Sequence, residues 1–290
     1  MDNVLNDSRL MRLIEEALFE DIGLGDVTTE AIISPDMLGR ATVVVKEAGI
    51  IAGLEVAALA FHYIDPRVTC TLNIHDGEYV VTHTVVASAD GPLASMLKAE
   101  RTALNILQRM SGIATLTRKF VDAVSGTRAQ ITDTRKTAPG LRILDKLAVQ
   151  TGGGVNHRFG LDDMILIKNN HIDAVGGISH AINRVRSYVN NGHYALRVEI
   201  ETRNLDEVQE ALRHEGINRI MLDNFSLDDM KKAVEIINHA VEVEASGNVS
   251  LENVGAIAET GVDVISVGAL THSPRALDIS LKIVPSHHRL

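Results

Sequence analysis

Hydrophobic positions along this chain follow two rhythms, and the change between them falls near residue 129. Over residues 7–20, Leu10, Met11, Leu13, Ile14, Ala17 and Leu18 recur at helical spacing behind a capping Asp7 or Ser8, which predicts an amphipathic helix. The stretch EDIGLGDVTTEAI that follows is polar and turn-rich. Its Asp21, Asp26 and Thr28 read as capping and turn-closing groups before they read as ligands. Short apolar runs at 40–45, 50–54, 68–72 and 79–89 predict strands, with 55–63 helical between them, so the first part of the chain is α+β. From Pro92 to about Val124 a long helix is expected, with Leu93, Met96, Leu97, Leu104, Leu107 and Met110 on its apolar face and a break or bend at Ser111 and Gly112. Arg101, beside Glu100 on that helix, reads as a surface charge.

Beyond residue 129 strands and helices alternate. The predicted strands are 129–132, 164–168, 196–201, 219–223, 242–246 and 262–267. Helices between them include one in which Leu141, Leu144, Leu147 and Ala148 recur before Gly152, Gly153 and Gly154, another at 226–240, and a Ser250-capped one at 251–259. Such units build a parallel sheet, doubly wound or closed as a barrel. What stands at or just past each strand end decides between the two: Arg135, Lys168, Glu201, Asp223, then Ser246 with Gly247 and Asn248, then Gly268 with Ala269. Reactive groups at the C-terminal ends of successive strands are what a barrel site requires, whereas a doubly wound sheet gathers its site at one switch point. A barrel-like domain follows.

Composition changes the picture in a few respects. With 290 residues, 45% of them hydrophobic, the chain is long enough for one large domain or two smaller ones. No apolar run reaches the length of a membrane span and the N-terminus lacks a signal peptide's apolar region, so a cytoplasmic, non-membrane protein is expected. A net charge of −10 and no Trp argue against a nucleic-acid groove with stacking platforms. Cys70, the single cysteine, reads as a core thiol.

Against that acidity, residues 133–171 form a cationic island. Arg135, Lys136, Arg142, Lys146, Arg158 and Lys168 face only Asp133, Asp145, Asp162 and Asp163, and His157 and His171 lie among them. Arg142 and Lys146 share a helix face, while Arg135, Lys136, His157, Arg158 and Lys168 come from loops and strand ends. A charged run is commonly a solvated face, but cations interleaved with Gly, Pro, Asn and His in loops favour a site for a small anion bearing several carboxylates or phosphates. His157 is the strongest of twelve histidines, and His171 has a structural reading. Glu201 and Asp223 end neighbouring strands and suit acid–base work or a hard metal. Glu199 shares the face of Glu201; an ion pair within the barrel is its structural reading, and which of the two would reach a metal stays open. The loops at Ser246, Gly247 and Asn248 and at Gly268 and Ala269 can cradle a phosphate on backbone amides.

The strings DTRKTAPGLR, KLAVQTGGGVNHRFGLDD and ILIKNNHI, with ERTALN, VEIET, MLDNF, EASGN and DVISVGALTHS, resemble the quinolinate phosphoribosyltransferase family over most of the chain. The resemblance implies an incomplete α/β barrel of the type II phosphoribosyltransferases over 113–273, preceded by an N-terminal α+β sandwich domain, 1–112, onto which the tail 274–290 packs. It implies a pentosyltransferase that joins quinolinate to phosphoribosyl pyrophosphate with decarboxylation. Arg135, His157, Arg158 and Lys168 would hold quinolinate together with Arg101 from the partner of a homodimer. Thr134 belongs to the same substrate-binding set. Lys136 would reach pyrophosphate, and Glu201 and Asp223 the magnesium and ribose. Lys136, Lys168, Glu201 and Asp223 are the expected catalytic residues, and Ser246, Gly247, Asn248, Gly268 and Ala269 would hold the 5-phosphate. Asn248 stands where the family also uses glycine. A relative using a monocarboxylate such as nicotinate, or a non-catalytic anion-binding homologue, are the alternatives.

Overall fold

The computed structural model describes residues 5–192 and 196–285, so His193, His287, His288 and the predicted tail beyond residue 285 lie outside the described residues. The chain forms two compact units, one of residues 1–118, 137–153 and 273–290, the other of 119–136 and 154–272.

The first unit is built on an antiparallel sheet. Its strands are β1 (Leu38–Val45), β3 (Thr69–Leu72), β5 (Val85–Pro92) and, from the end of the chain, a strand over Ile279–Pro285 that pairs with β1 from Gly39↔Pro285 to Val45↔Ile279. A separate small pair joins β2 (Gly49–Ile50) to β4 (Tyr79–Val80). The expected strand over 79–89 is therefore two strands, divided where His83 takes a φ of 71°. The one expected over 50–54 stops early because Gly53, at φ 97°, turns the chain into the helix Leu54–Ile64. That helix is capped by Asp76, whose carboxylate accepts the amides of Gly53 and Leu54. Within the turn-rich stretch a helix forms over Val27–Ile32, and Asp26 caps it by accepting from Thr29 N at 2.9 Å.

The helix Leu93–Ala123 runs unbroken for 31 residues, so the break expected at Ser111 and Gly112 does not occur. Packing explains both residues. Ser111 Oγ is buried and accepts the amide of Ala52, and a Cβ at Gly112 would lie 2.1 Å from the carbonyl oxygen of Arg275. Glycine stands there to let the returning chain approach. The helix Arg142–Thr151 packs in this same unit and not with the barrel strands around it in sequence. Arg109 grips the fully buried Asp145 with two hydrogen bonds of 2.7 and 2.8 Å, and Gly152 lies against the backbone of Ala114. Lys146, expected on an open cationic face, is buried.

The second unit holds a six-stranded parallel sheet. Strands β6 (Gln130–Thr132), β7 (Ile165–Ile167), β8 (Val198–Thr202), β9 (Arg219–Asp223), β10 (Glu242–Ser246) and β11 (Val264–Ser266) lie in the order β6-β11-β10-β9-β8-β7. Each strand from β7 to β11 neighbours the next in sequence, and the last pairs back with the first. This is barrel order with one seam, between β6 and β7, left open. At the seam Val155 makes a single parallel bridge to Thr132, which carries the chain past the end of β6 and into the loop bearing His157. The helix expected over 251–259 forms only over Val254–Ala258, because Asn253 takes the Ser250 amide and turns the chain first. Among the described residues no helix is long and apolar enough to cross a membrane.

Candidate active site

Side chains alternate along a strand, so β8, β9 and β10 each send every second residue to one side of the sheet. Those residues are Glu199 and Glu201, then Arg219, Met221 and Asp223, then Glu242, Glu244 and Ser246. The ones at the C-terminal ends open into a cavity lined by Thr134, Arg135, Lys136, His157, Arg158, Leu166, Lys168, Glu201, Met221, Asp223, Glu244, Ser246 and Ser266. Nine of the expected site residues thus meet in one place, from Thr134 round to Ser246.

Local hydrogen bonds fix the loops that carry them. Asp133, fully buried after β6, accepts the amide of His157 at 2.9 Å and ties the two cationic loops together. Thr134 Oγ1 accepts from the Lys136 amide, and Thr271 Oγ1 donates to the Lys136 carbonyl. Arg158 is buried, with one guanidinium nitrogen 2.9 Å from the Met164 carbonyl oxygen. Burial and the neighbouring Arg135 charge push its pKa down, so these two cations stand close enough to repel and call for an anion between or beside them. Lys168 precedes the helix Asn169–Val175, and His171 Nδ1 accepts the Lys168 amide, which gives His171 its structural role.

On the other wall, Glu201 accepts from the Asn169 amide at 3.2 Å. Burial, followed by the Asp223 carboxylate, raises its pKa in spite of that bond. Two carboxylates in mutual repulsion at one mouth form an oxygen-donor pair suited to a hard cation. Glu199, the alternative left open by the sequence, is fully buried below the cavity mouth and does not line the cavity.

The remaining expected residues stand elsewhere. Gly247 and Asn248 follow β10 in left-handed conformations, with φ of 100° and 50°. A Cβ on Gly247 would lie 2.2 Å from the Asn224 side-chain oxygen, which also accepts from Asn248 Nδ2 at 3.0 Å. The Asn248 side chain therefore buttresses this loop. Gly268 and Ala269 follow β11, with Gly268 against the side chains of Lys136 and His272. None of these four lines the cavity itself. Arg101 is exposed and belongs to the first unit.

The ion pair within the barrel expected for Glu199 is one part of a buried charge cluster, whose further members Arg219 and Glu244 the sequence did not single out. His157 Nε2 lies 3.1 Å from Glu199 Oε2 and 3.4 Å from Glu244 Oε2, and Arg219 donates to Glu244 at 2.6 Å. Burial opposes a charged imidazole, yet the Glu199 and Glu244 carboxylates outweigh it and raise His157 to about 9. Burial and the Glu244 charge push Glu199 up. Glu244, although wholly buried, is held down by His157 and Arg219. Three ligand-type atoms of His157, Glu199 and Glu244 fall within 4.8 Å of one another, but the Arg219 guanidinium already supplies the counter-charge a metal would bring. The clue in the sequence is the polar residue at every second position of VEIET and EVEAS, with Arg219 and Asp223 at the two ends of RIMLD, which puts charge on the inward face.

The family model for the quinolinate phosphoribosyl transferase C-terminal domain matches residues 113–282, and that for the N-terminal domain matches 26–111. The chain is 47% identical over 289 residues to quinolinate phosphoribosyltransferase (decarboxylating) 1b of Nicotiana tabacum, covering 94% of this chain and 82% of that protein. It is 46% identical to a probable nicotinate-nucleotide pyrophosphorylase (carboxylating) of Synechocystis, covering 93% and 91%. A crystal structure of NadC from Streptococcus pyogenes superposes with a TM-score of 0.91 at 37% identity, covering 96% of this chain and 98% of that one. Family models over both parts, relatives matched nearly end to end and a shared fold leave one conclusion: this chain belongs to the quinolinate phosphoribosyltransferase family.

Proposed function

We propose that this chain transfers the phosphoribosyl group of phosphoribosyl pyrophosphate to quinolinate, with loss of carbon dioxide, giving nicotinate mononucleotide and pyrophosphate. One observation carries the reading: five cationic or cation-forming groups, Arg135, Lys136, His157, Arg158 and Lys168, line a single cavity with the Glu201 and Asp223 carboxylates. A planar diacid answers the first set, and a sugar phosphate that needs a hard cation answers the second.

The chemistry asks the protein for position and charge. Arg135, Arg158, His157 and Lys168 pair with the two carboxylates and turn the ring nitrogen toward the anomeric carbon. That nitrogen's lone pair forms the new C–N bond as the C–O bond to pyrophosphate breaks, and Lys136 accepts the charge that develops on the leaving group. The carboxylate beside the quaternised nitrogen then departs as carbon dioxide. Its bonding pair stays on the ring carbon, stabilised by the adjacent positive nitrogen, until a proton from water takes its place. Glu201 and Asp223 would hold magnesium, which supplies neutralisation of the pyrophosphate charge when bound. The amides after β10 and β11 receive the 5-phosphate. Arg101 serves the cavity of a partner subunit in a homodimer.

A carbon dioxide release assay with phosphoribosyl pyrophosphate and magnesium tests this. Turnover of quinolinate and not of nicotinate is expected, because a monoacid leaves part of the cationic wall unpaired. Equal use of both acids would favour the monocarboxylate relative, and binding without turnover an anion-binding homologue.

A further inference from the structure

Strands β9 and β10 end side by side. Asp223, the last residue of β9, pairs in register with Ser246, the last of β10. The pairing continues for one bond more, from the Asn224 amide to the Ser246 carbonyl at 2.9 Å. Both chains then turn away through left-handed residues, Asn224 at φ 57° on one side, and Gly247 at 100° with Asn248 at 50° on the other. Asparagine is one of the few side chains that adopt this region readily.

The two left-handed asparagines meet. Asn248 Nδ2 donates to Asn224 Oδ1 at 3.0 Å. A Cβ on residue 247 would stand 2.2 Å from that same oxygen, so the Asn224 side chain rests on the Gly247 backbone. Asn253 holds the loop from its far end: its Nδ2 donates to the Asn248 carbonyl at 3.0 Å, and its Oδ1 accepts the Ser250 amide at 2.8 Å. Asn253 thus closes the loop on itself, whereas Asn224 ties it to the end of the neighbouring strand.

Phosphoribosyl pyrophosphate has to reach both places. In the proposed function Asp223 serves the metal of its pyrophosphate and the amides after β10 take its 5-phosphate, two ends of one ligand. Groups that must engage both ends at once gain affinity when their separation is set before the ligand arrives. We propose that Asn224 and Asn248 are positioning residues for phosphoribosyl pyrophosphate: their side-chain hydrogen bond fixes the phosphate loop against the strand end that carries Asp223. This rests on the phosphoribosyl pyrophosphate reading of the site. Both residues are exposed, and a hydrogen bond open to water contributes modestly, so a graded loss of affinity is expected when it is broken.

Calorimetry on the full chain tests this, with phosphoribosyl pyrophosphate, magnesium pyrophosphate and quinolinate as ligands in turn. Glycine at either position keeps the left-handed backbone accessible and removes the side chain, so the variants are Asn224→Gly, Asn248→Gly and the two combined. Each single variant should bind phosphoribosyl pyrophosphate about fivefold more weakly, while magnesium pyrophosphate and quinolinate, which do not engage the loop, stay within about twofold. In turnover the loss should fall on KM for phosphoribosyl pyrophosphate more than on kcat. The combined variant separates a shared bond from loosened backbone. Two residues acting through one bond lose no more together than singly, about fivefold, whereas flexibility added at two independent places multiplies to about 25-fold. Multiplied losses, unchanged affinity for phosphoribosyl pyrophosphate, or equal weakening of all three ligands overturn the proposal. If one single variant does not fold, the other carries the comparison of the three ligands with wild type. A wild type that binds no phosphoribosyl pyrophosphate overturns the substrate reading itself, before any variant is compared.

Discussion

Asp223 ends β9 and Glu201 stands one residue before the end of β8, and the proposed function gives these two carboxylates the metal and the cationic groups of the same cavity the acid. Duties divided in this way can be removed one at a time. Replacing Asp223 with Asn should weaken binding of the magnesium complex of phosphoribosyl pyrophosphate by tenfold or more while quinolinate affinity moves less than about twofold, since one charged partner of a hard cation is lost. Calorimetry with each ligand separates the two, and a variant with wild-type binding and activity would remove the metal assignment. His157 makes a second prediction at this scale. Its folded pKa of about 9 lies above the ordinary 6.5, so the folded state holds the proton more tightly than the unfolded one. The resulting stability, up to about 3 kcal/mol, is fully present below pH 6.5 and is lost as the pH rises through 9. Denaturant midpoints should fall over that window in wild type and fall less in His157→Gln. Equal slopes in the two proteins would place the titration elsewhere.

Elements in this chain answer to their neighbours as much as to their own sequence. Gly112 shows how the sign of a substitution can turn on that. On propensity alone, Gly112→Ala in the middle of a 31-residue helix should stabilise by roughly 1 kcal/mol. The added Cβ would, however, stand 2.1 Å from the Arg275 carbonyl oxygen, which is backbone and cannot rotate away. Crowding of that kind costs about 1–3 kcal/mol, so the variant should melt several degrees lower. A higher melting temperature would mean that the returning chain yields easily. The same helix explains why Ser111 and Gly112 read as breakers: their local chemistry is that of a turn, and only the groups packed on them, Ala52 and Arg275, give them other work.

At the scale of the whole molecule the prediction concerns Arg101. It is exposed within its own chain, and the proposed homodimer assigns it to the partner's cavity. Arg101→Ala and Lys168→Ala should each be nearly inactive alone. In an equimolar, re-equilibrated mixture about half the dimers are mixed, and each mixed dimer contains one cavity with both residues intact. Activity should return to about one quarter of wild type. If native mass spectrometry shows mixed dimers and no activity returns, the role of Arg101 across the subunits falls. The buried cluster of His157, Glu199, Arg219 and Glu244 belongs to this scale as well, since its members come from one loop and three different strands.

By itself the sequence determined the alternation of strands and helices beyond residue 129, the barrel order that follows from it, and the presence of Arg135, Lys136, His157, Arg158, Lys168, Glu201 and Asp223 at one mouth. These are consequences of local periodicity and of the rule that consecutive parallel strands lie side by side, so position along the chain carries over to position around the sheet. Tertiary structure alone decided three matters. Glu199 turned out to be buried under His157 while Glu201 reached the cavity, because two residues on one face of a strand differ in depth and periodicity gives no depth. The helix Arg142–Thr151 joined the first unit, because the Arg109–Asp145 ion pair and the Gly152 contact outweigh its place in the chain. And Glu244 and Arg219 became part of the site, because a carboxylate's meaning depends on which charge lies within hydrogen-bonding distance, a distance set by three strands at once.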